Sequence, residues 1–596
     1  MRRFFHRKFA FTLDLSLEDL FSDIKNYRFF SFKDDLLASL SVALLAIPQS
    51  IAYSLLAGLP PEAGLFSAIF GVMITAFFGS SRHLISGPST GVAILLQSTI
   101  ASTIHTYYPN LPASQMMPTV MHCLGQILFI IAILQLVFSL MNIGKLLRFV
   151  SRSVVLGYFM GVLVAIIVTQ MNYVLGIDAR NLIANTTFFR AIDLLSQLDQ
   201  INYASILITI TGIILLVLLK KSVAKGPSTL IMLVILTLIS FGVNQFFSKY
   251  FMIPNLGDMG FDDSWEFTFH MFVFDLGLID KIFPACLAIS LLSILEVSSI
   301  SRMMSVKSGQ TIRVNQDVFS VGLANLFLSF LIGSMPASGS LTRSMVNLSN
   351  KAKTRFSAIF SGGLVALFTY FSWPYISLIP LAALASILLM VVPSLIHTDE
   401  IKLCLKATRG DRIVFILTVL SCIFFSLNIA FFIGVVISIA FYLRRAADPF
   451  LIEYAFNSAG RMIVVSPKDE RKRVTRIIGV EGELFFGVVD FMQSAINKII
   501  ADPYIKVLII RLNRVHYIDA TTCFAILRLH SYLKATDRHL VISGLSEEVW
   551  NTFYRTGIAE MIHQDNLFLT DETKPQLSTW RATLRAQDLL SDMEKL

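Results

Sequence analysis

For its first three quarters the chain alternates between long apolar runs and short polar breaks, and this rhythm changes only near Pro449. A bilayer core about 30 Å thick needs about 20 apolar residues per helix. On that measure fourteen spans are predicted, near 34–57, 61–80, 88–104, 119–142, 152–176, 205–220, 226–247, 281–302, 314–335, 340–350, 355–374, 376–397, 411–427 and 429–443. The third and the tenth are short. Beyond Pro449, Arg461–Ser466, Ile477–Glu483, Val507–Leu512 and Leu540–Ser543 read as strands. Val488–Ile500, Ala520–Ala535 and Ser546–Thr556 read as helices between them. The alternation predicts a small α/β domain over 451–575. Residues 1–33 form a polar, basic N-terminal segment, 34–446 the transmembrane domain, and 576–596 a charged helical tail expected to fray. The predicted fold class is an all-α polytopic membrane protein followed by an α/β domain.

Charge tests the span count. Cytoplasmic loops carry an excess of Lys and Arg. Arg2, Arg3, Arg7 and Lys8 lie at the N-terminus, and basic residues recur in every second break. These are Arg82; Lys145, Arg148 and Arg152; Lys220, Lys221 and Lys225; Arg302, Lys307 and Arg313; Lys351, Lys353 and Arg355; Lys402, Lys406, Arg409 and Arg412; and finally Arg444 and Arg445. The intervening break at 248–280 is acidic, with Asp258, Asp262, Asp263, Glu266 and Asp275 against Lys249. Fourteen spans keep this alternation and place both termini in the cytoplasm. Of 596 residues, 55% are hydrophobic and only 15% charged, which excludes a soluble globular protein. The net charge of +9 lies within residues 1–450, with 31 Lys+Arg against 22 Asp+Glu, whereas 451–596 hold 18 of each. That argues for basic membrane loops and against nucleic-acid binding. Cys123, Cys286, Cys404, Cys422 and Cys523 show no ligand spacing and read as small buried hydrophobes. No apolar core of a signal peptide precedes the first span.

Two interrupted spans at matching positions point to a transporter binding site. Seven spans precede the acidic loop and seven follow it, and an odd number per half inverts the second relative to the first. The third span of the first half opens with Ser86-Gly87-Pro88-Ser89-Thr90-Gly91, and that of the second half with Pro336-Ala337-Ser338-Gly339-Ser340. Gly and Pro interrupt the backbone and small hydroxyl residues start a helix. Two such helix starts facing each other near the midplane offer free N–H groups and partial positive charge, an anion site. Arg343 lies three residues into the tenth span and adds positive charge; a buried arginine in a bilayer needs an aqueous cavity or a charged partner. Glu296 is the most internal carboxylate of the membrane part, placed to carry a coupling proton or to pair with Arg343. Gln49 and Tyr53 interrupt the first span next to Pro48, and Gln49 can donate an amide N–H to a ligand. No P-loop, HExxH or GxSxG occurs and the ten His are scattered, so neither enzyme chemistry, a cofactor nor a metal site is expected.

These residues make the chain resemble the SulP anion transporters. The resemblance is carried by Ala46-Ile47-Pro48-Gln49-Ser50-Ile51-Ala52-Tyr53, Ala57-Gly58-Leu59-Pro60-Pro61, Phe78-Gly79-Ser80-Ser81-Arg82-His83 and Gly87-Pro88. It continues through Asn315-Gln316-Asp317, Gly322-Leu323-Ala324-Asn325 and Gly339-Ser340-Leu341-Thr342-Arg343-Ser344. The tail resembles a STAS domain at Glu481-Gly482-Glu483-Leu484-Phe485-Phe486-Gly487 and Ile518-Asp519-Ala520-Thr521-Thr522. The resemblance implies two inverted seven-helix repeats, with spans 1–4 and 8–11 forming a core domain and spans 5–7 and 12–14 a gate. It implies an anion held between the third and tenth spans by Gln49, Tyr53, Ser89, Thr90, Ser338, Ser340 and Arg343. Glu296 matches the carboxylate of proton-coupled members, whereas sodium-coupled bicarbonate members place Asp in that region. A homodimer with STAS contacts is also implied. Thr521 aligns with a phosphorylated position of related STAS regulators, but Thr522 replaces the usual Gly, and Asp519 as a helix N-cap is the plainer reading. The expected function is secondary, proton-coupled uptake of sulfate, bicarbonate or a C4-dicarboxylate. An uncoupled exchanger or channel, a membrane-anchored STAS signalling protein and a nucleobase symporter are the alternatives. A bacterial inner membrane is the expected location, although Asn185-Thr186-Thr187 forms a glycan acceptor pattern.

Overall fold

The computed structural model describes residues 23–595 except 26, 28, 109–111, 143–150, 178–185, 223–227, 248–251, 260–273, 332, 397, 447–449, 458–460, 466–472, 482–483, 485–501, 572 and 575. Several expectations lie outside the described residues: most of the N-terminal segment, most of the acidic loop, the basic pair Lys145 and Arg148, Lys225, Asn185, and the helix at 488–500. Two compact units divide near residue 438, and each is described by itself.

Each predicted span is a helix. In the first half these are α1 (Phe29–Leu56), α2 (Pro61–Phe66) continued by a π-turn (Ser67–Gly71) into α3 (Val72–Phe78), α4 (Thr90–Tyr107), α5 (Ala113–Leu140) and α6 (Arg152–Leu175). After α7 (Thr187–Ser196) come α8 (Tyr203–Ser222) and α9 (Ser228–Phe247). The second half runs α10 (Leu276–Ser308), α11 (Val314–Ser329), α12 (Leu341–Ser349), α13 (Phe356–Ile376) and α14 (Leu381–Leu395). Then come α15 (Thr398–Ala407), α16 (Arg409–Phe424) and α17 (Leu427–Ala446). Among the described residues nine helical segments are long and apolar enough to cross a membrane alone. The other five predicted spans, α4, α11, α12, α14 and α16, are shorter or more polar. The ends follow capping chemistry. Asp275 accepts from Gly277 N at 2.8 Å to start α10, and Gly309, at φ +72°, ends it with its N–H on Ser305 O.

Helices α7 and α15 were not expected. Both have ten residues, and they occupy the same place in the two halves, between the fifth and sixth spans of each. A scan for long apolar runs passes over them because only one side of each is apolar. Lys402 and Lys406, expected in a loop, lie on α15. The core is polar where the halves meet. Asp317 Oδ1 accepts from Ser80 N at 2.7 Å, Ser80 Oγ at 2.9 Å and Ser81 N at 3.1 Å, and its Oδ2 from Ser301 Oγ at 2.7 Å. All five cysteines are buried and free.

The second unit carries a six-stranded sheet. Its strands are β3 (Phe450–Phe456), β4 (Met462–Val464), β5 (Thr475–Glu481), β6 (Val507–Arg514), β7 (His539–Leu545) and β8 (Leu567–Leu569), in the order β4-β3-β5-β6-β7-β8. Strands β5 to β8 are parallel, and β3, which falls where the sequence marked only a boundary, pairs antiparallel to β5. Alternate residues of β6 serve opposite faces. Leu508 and Ile510 pack with Ile526 and Leu533 of α18 (Ala520–Ala535) and with Val549 of α19 (Glu547–Arg555). Val507 and Ile509 pack with Ala582 and Ala586 of α20 (Leu577–Lys595). The fraying expected of the tail is therefore overturned. Two alanines at i and i+4 give α20 a flat apolar stripe that seals the sheet, and its charges lie on the other sides.

Candidate functional site

The two helix starts meet as the repeat argument requires. Before α4 lies the short strand β1 (Ser86–Gly87), and before α12 the strand β2 (Ser338–Gly339). They pair antiparallel, Ser86 with Gly339 and Gly87 with Ser338. Ser340 N donates to Ile85 O at 2.9 Å, and Ile85 N to Ser344 Oγ at 2.9 Å, which extends the join into the first turn of α12. Ser86 Oγ donates to Gly71 O in the π-turn at 3.0 Å. Asn325 of α11 braces the segment before β2, accepting from Ala337 N at 2.7 Å and donating to Ala337 O at 3.0 Å. Asn325 also donates to Gln135 of α5 at 2.8 Å, and Gln135 donates to Ser293 of α10 at 2.9 Å. A chain of buried amides from both repeats thus fixes the ribbon.

Glu296 lies across this junction. Its Oε2 accepts from Ser89 Oγ at 2.9 Å and from Ser338 Oγ at 2.6 Å, one hydroxyl from each helix start. Its Oε1 packs against Gly91, where a Cβ would come within 2.8 Å. Ser89 is also the N-cap of α4, accepting from Val92 N at 3.4 Å. The Tyr53 side chain is hydrogen-bonded to Thr90 and feels the charges of both Arg343 and Glu296. Gln49 lies one helical turn before Tyr53 on the same side of α1. It is buried, and its Oε1 has no hydrogen-bond partner.

Among the described residues two arginines are almost fully buried, and their partners differ. Arg355 is paired with Asp23 at 3.0 Å. Arg343, 1% exposed, donates from Nη2 to Pro88 O at 2.6 Å, and its Nε has no partner. Among the described residues Arg343 and Glu296 form no ion pair, so the pairing considered from sequence is absent. The guanidinium lies against Gly87, whose φ of +134° only glycine adopts freely and whose Cβ would come within 2.9 Å of Arg343 Nη1. An uncompensated buried charge costs about 3–5 kcal/mol. Two helix starts and this unneutralised guanidinium make the junction electropositive, with a carboxylate at its edge that two hydroxyls hold.

Ser89, Thr90, Ser338, Glu296, Arg343 and Tyr53 are therefore gathered in one place, with Gln49 beside Tyr53. Ser340 caps α12 by position only: its side chain makes no capping bond, and its backbone N–H serves the β1 side. Asn325, Gln135 and Asp317 were not singled out as site residues. An amide inside the apolar run around Gln135 is the signal that marks the brace. Elsewhere, Asp519 caps α18 by accepting from Thr522 N at 2.9 Å and Thr522 Oγ1 at 2.7 Å, while Thr521 is exposed.

Comparison with known proteins places this architecture. Residues 32–418 match the Sulfate permease family and residues 466–573 the STAS domain. Sulfate transporter 4.1, chloroplastic, of Arabidopsis thaliana is 27% identical over 570 residues, covering 92% of this chain and 80% of its own. The structure of murine Solute Carrier 26 family member A9 anion transporter in the inward-facing state superposes with a TM-score of 0.82 at 20% identity, over 96% of this chain and 94% of that one. The transmembrane domain of the cyanobacterial bicarbonate transporter BicA superposes with a TM-score of 0.57 at 16% identity, over 69% of this chain and 98% of that one. The chain thus belongs to the sulfate permease family, as a multi-pass membrane protein whose helical part is followed by a STAS domain.

Proposed function

We propose that the protein is a secondary transporter that binds sulfate at the junction of α4 and α12 and takes it up together with a proton carried by Glu296. One observation carries the reading: the guanidinium of Arg343 is buried without a carboxylate partner beside two paired helix starts. An oxyanion there gains the charge compensation that the protein withholds. Sulfate is the first choice because the matched plant relative is a sulfate transporter; bicarbonate and C4-dicarboxylates remain comparison substrates.

The position of Glu296 supports proton coupling. Ionised, it lowers the positive potential of the junction and repels an incoming anion. Protonated, it leaves the charge of Arg343 to the ligand and turns one carboxyl oxygen into a donor. Anion and proton therefore favour each other's binding, and by linkage the effect is reciprocal. The proton also offsets charge. Moving each elementary charge across 100 mV involves about 2.3 kcal/mol, so a dianion entering a negative interior is helped by every proton that accompanies it. The basic breaks between spans support a topology with both termini in the cytoplasm.

The test is uptake of labelled sulfate, bicarbonate and fumarate into proteoliposomes, with and without an inward proton gradient, for wild type and Glu296→Gln. Gradient-stimulated sulfate uptake that loses its stimulation in the variant is expected. Stimulation that persists in Glu296→Gln would refute the coupling role, and selective uptake of another anion would replace sulfate.

A further inference from the structure

A polar cavity lies away from the junction. Its volume is about 70 Å³, and it is lined by Leu55 and Leu56 of α1, Gln97 of α4, Arg190 of α7, and Thr169, Gln170, Asn172 and Tyr173 of α6. A water needs ~10–15 Å³ of such space, so the cavity has room for several waters or for a small oxyanion in their place. A smaller neighbouring cavity of about 20 Å³ shares Gln97, Thr169 and Arg190 and adds Ser98, Thr186 and Thr187. Arg190 therefore lines both. Gln170 is 1% exposed, and its Nε2 has no hydrogen-bond partner, so a buried amide donor goes unused in the wall. Among the described residues the lining contributes no carboxylate. A guanidinium, an unused amide donor and a hydroxyl around one cavity suit an anion.

The cavity is connected to the junction through two helices. Thr90 opens α4 at the junction, and Gln97 lies seven residues further, about 10 Å along the axis. On α1, Tyr53 at the junction precedes Leu55 and Leu56 at the cavity by less than one turn. The opposite wall is built by α6 and α7, from the fifth span and the helix after it. An anion moving along α4, between the first four spans and the fifth, passes Arg190 next.

We propose that Arg190 and Gln170, with Thr169 and Gln97, form a second, weaker oxyanion-binding station from which the junction is filled. The inference rests on the anion-transport reading and gives α7, which a span count passes over, a role: it brings a cation to a wall otherwise made of hydroxyls and amides. A charge in a low-dielectric cleft raises the local concentration of counter-ions and falls off with salt.

The experiment combines transport and binding of labelled sulfate. In proteoliposomes at low ionic strength, Arg190→Gln is expected to raise the half-saturating concentration about tenfold while the maximal rate stays near wild type. Arg190→Lys, which keeps the charge, recovers most of the loss, and added salt narrows the difference. Gln170→Leu gives a smaller shift in the same direction. In detergent, purified Arg343→Ala protein is expected to retain weak sulfate binding, which Arg190→Gln then removes. An unchanged half-saturating concentration, a loss of maximal rate alone, or a lower thermal midpoint that Arg190→Lys fails to restore would each overturn the station. So would the absence of residual binding in Arg343→Ala. Normal uptake by Arg343→Ala strikes the junction reading instead and leaves the Arg190 result standing.

Discussion

Arg343 Nη2 donates to Pro88 O across 2.6 Å, and this bond ties the second short helix to the entrance of the first. The donor belongs to one repeat and the acceptor to the other. The cation proposed to bind the anion thus also holds the two helix starts in register. Arg343→Ala is expected to abolish sulfate uptake in proteoliposomes while the protein still inserts and elutes as wild type. Arg343→Lys is expected to fail as well, because an ammonium cannot reproduce the planar fork. Uptake near the wild-type rate by the lysine variant would assign the residue a charge role only.

Gly87 offers a test that leaves every charge in place. Its φ of +134° is strained for any other residue, and an added Cβ would lie 2.9 Å from Arg343 Nη1. Gly87→Ala is expected to destabilise the protein by about 1–3 kcal/mol and to lower uptake by displacing the guanidinium. Thermal unfolding in detergent reads the first effect, and half-saturation for sulfate the second. Gly363, with open space around its Cβ position, is the control: its alanine variant should leave transport unchanged.

Asp317 is a structural rather than a ligand-binding carboxylate. It accepts four hydrogen bonds from Ser80, Ser81 and Ser301 and is completely buried. Asp317→Leu would strand buried donors at about 1–3 kcal/mol each, enough to prevent folding. Asp317→Asn keeps an acceptor oxygen and is expected to fold with a lowered thermal midpoint and with unchanged half-saturation for sulfate. A shift in that half-saturation without a stability loss would move Asp317 into the transport site.

Much of this was legible in the sequence, for identifiable physical reasons. A bilayer forces long apolar runs, so nine spans stand out by hydropathy alone and the five shorter or more polar ones by the polar breaks and charge alternation around them, and the repeat symmetry pairs Ser86–Gly91 with Pro336–Ser340. Burial of Glu296 and Arg343 in apolar runs marked them as exceptional. What hydropathy could not say is which partner each would choose. The choice of Ser89 and Ser338 by Glu296, and of Pro88 O by Arg343, depends on the β1–β2 register. Helices α7 and α15 escaped because amphipathic ten-residue segments resemble loops on a 20-residue scale. The docking of α20 escaped because its charges dominate its composition while Ala582 and Ala586 decide its packing.

His530 and His539 set a pH dependence in the STAS domain. Burial holds the His530 imidazole below its ordinary value, with Lys534 adding to the shift; burial does the same at His539, where Arg585 of α20 adds to it. The unfolded chain, with pKa values of about 6.5, then binds more protons than the folded domain as the pH falls. The stability associated with both groups is present above about pH 6.5 and is lost as the pH falls through the lower folded values. The unfolding midpoint of the STAS domain, followed in the full-length protein, should drop between pH 7 and the acid range, and His539→Asn should flatten that drop.

Removing α20 tests the correction of the tail directly. The helix covers Val507, Ile509 and Val541 on the sheet, places Trp580 against Phe456 with ring centroids 5.2 Å apart, and sets Arg585 Nε 3.1 Å from Asn566 Oδ1. A chain ending at Lys574 would expose that sheet face, since about 25 cal/mol is lost per Å² of apolar surface returned to water. The expected result is a lower unfolding midpoint for the STAS domain and new binding of a hydrophobic dye. Two milder variants separate packing from length: Ala582→Asp and Ala586→Asp keep the helix but place a carboxylate against the sheet. They should reproduce the truncation, whereas Gln587→Ala, off the stripe, should not. A truncated protein with the wild-type midpoint would restore the frayed tail that its charge suggests.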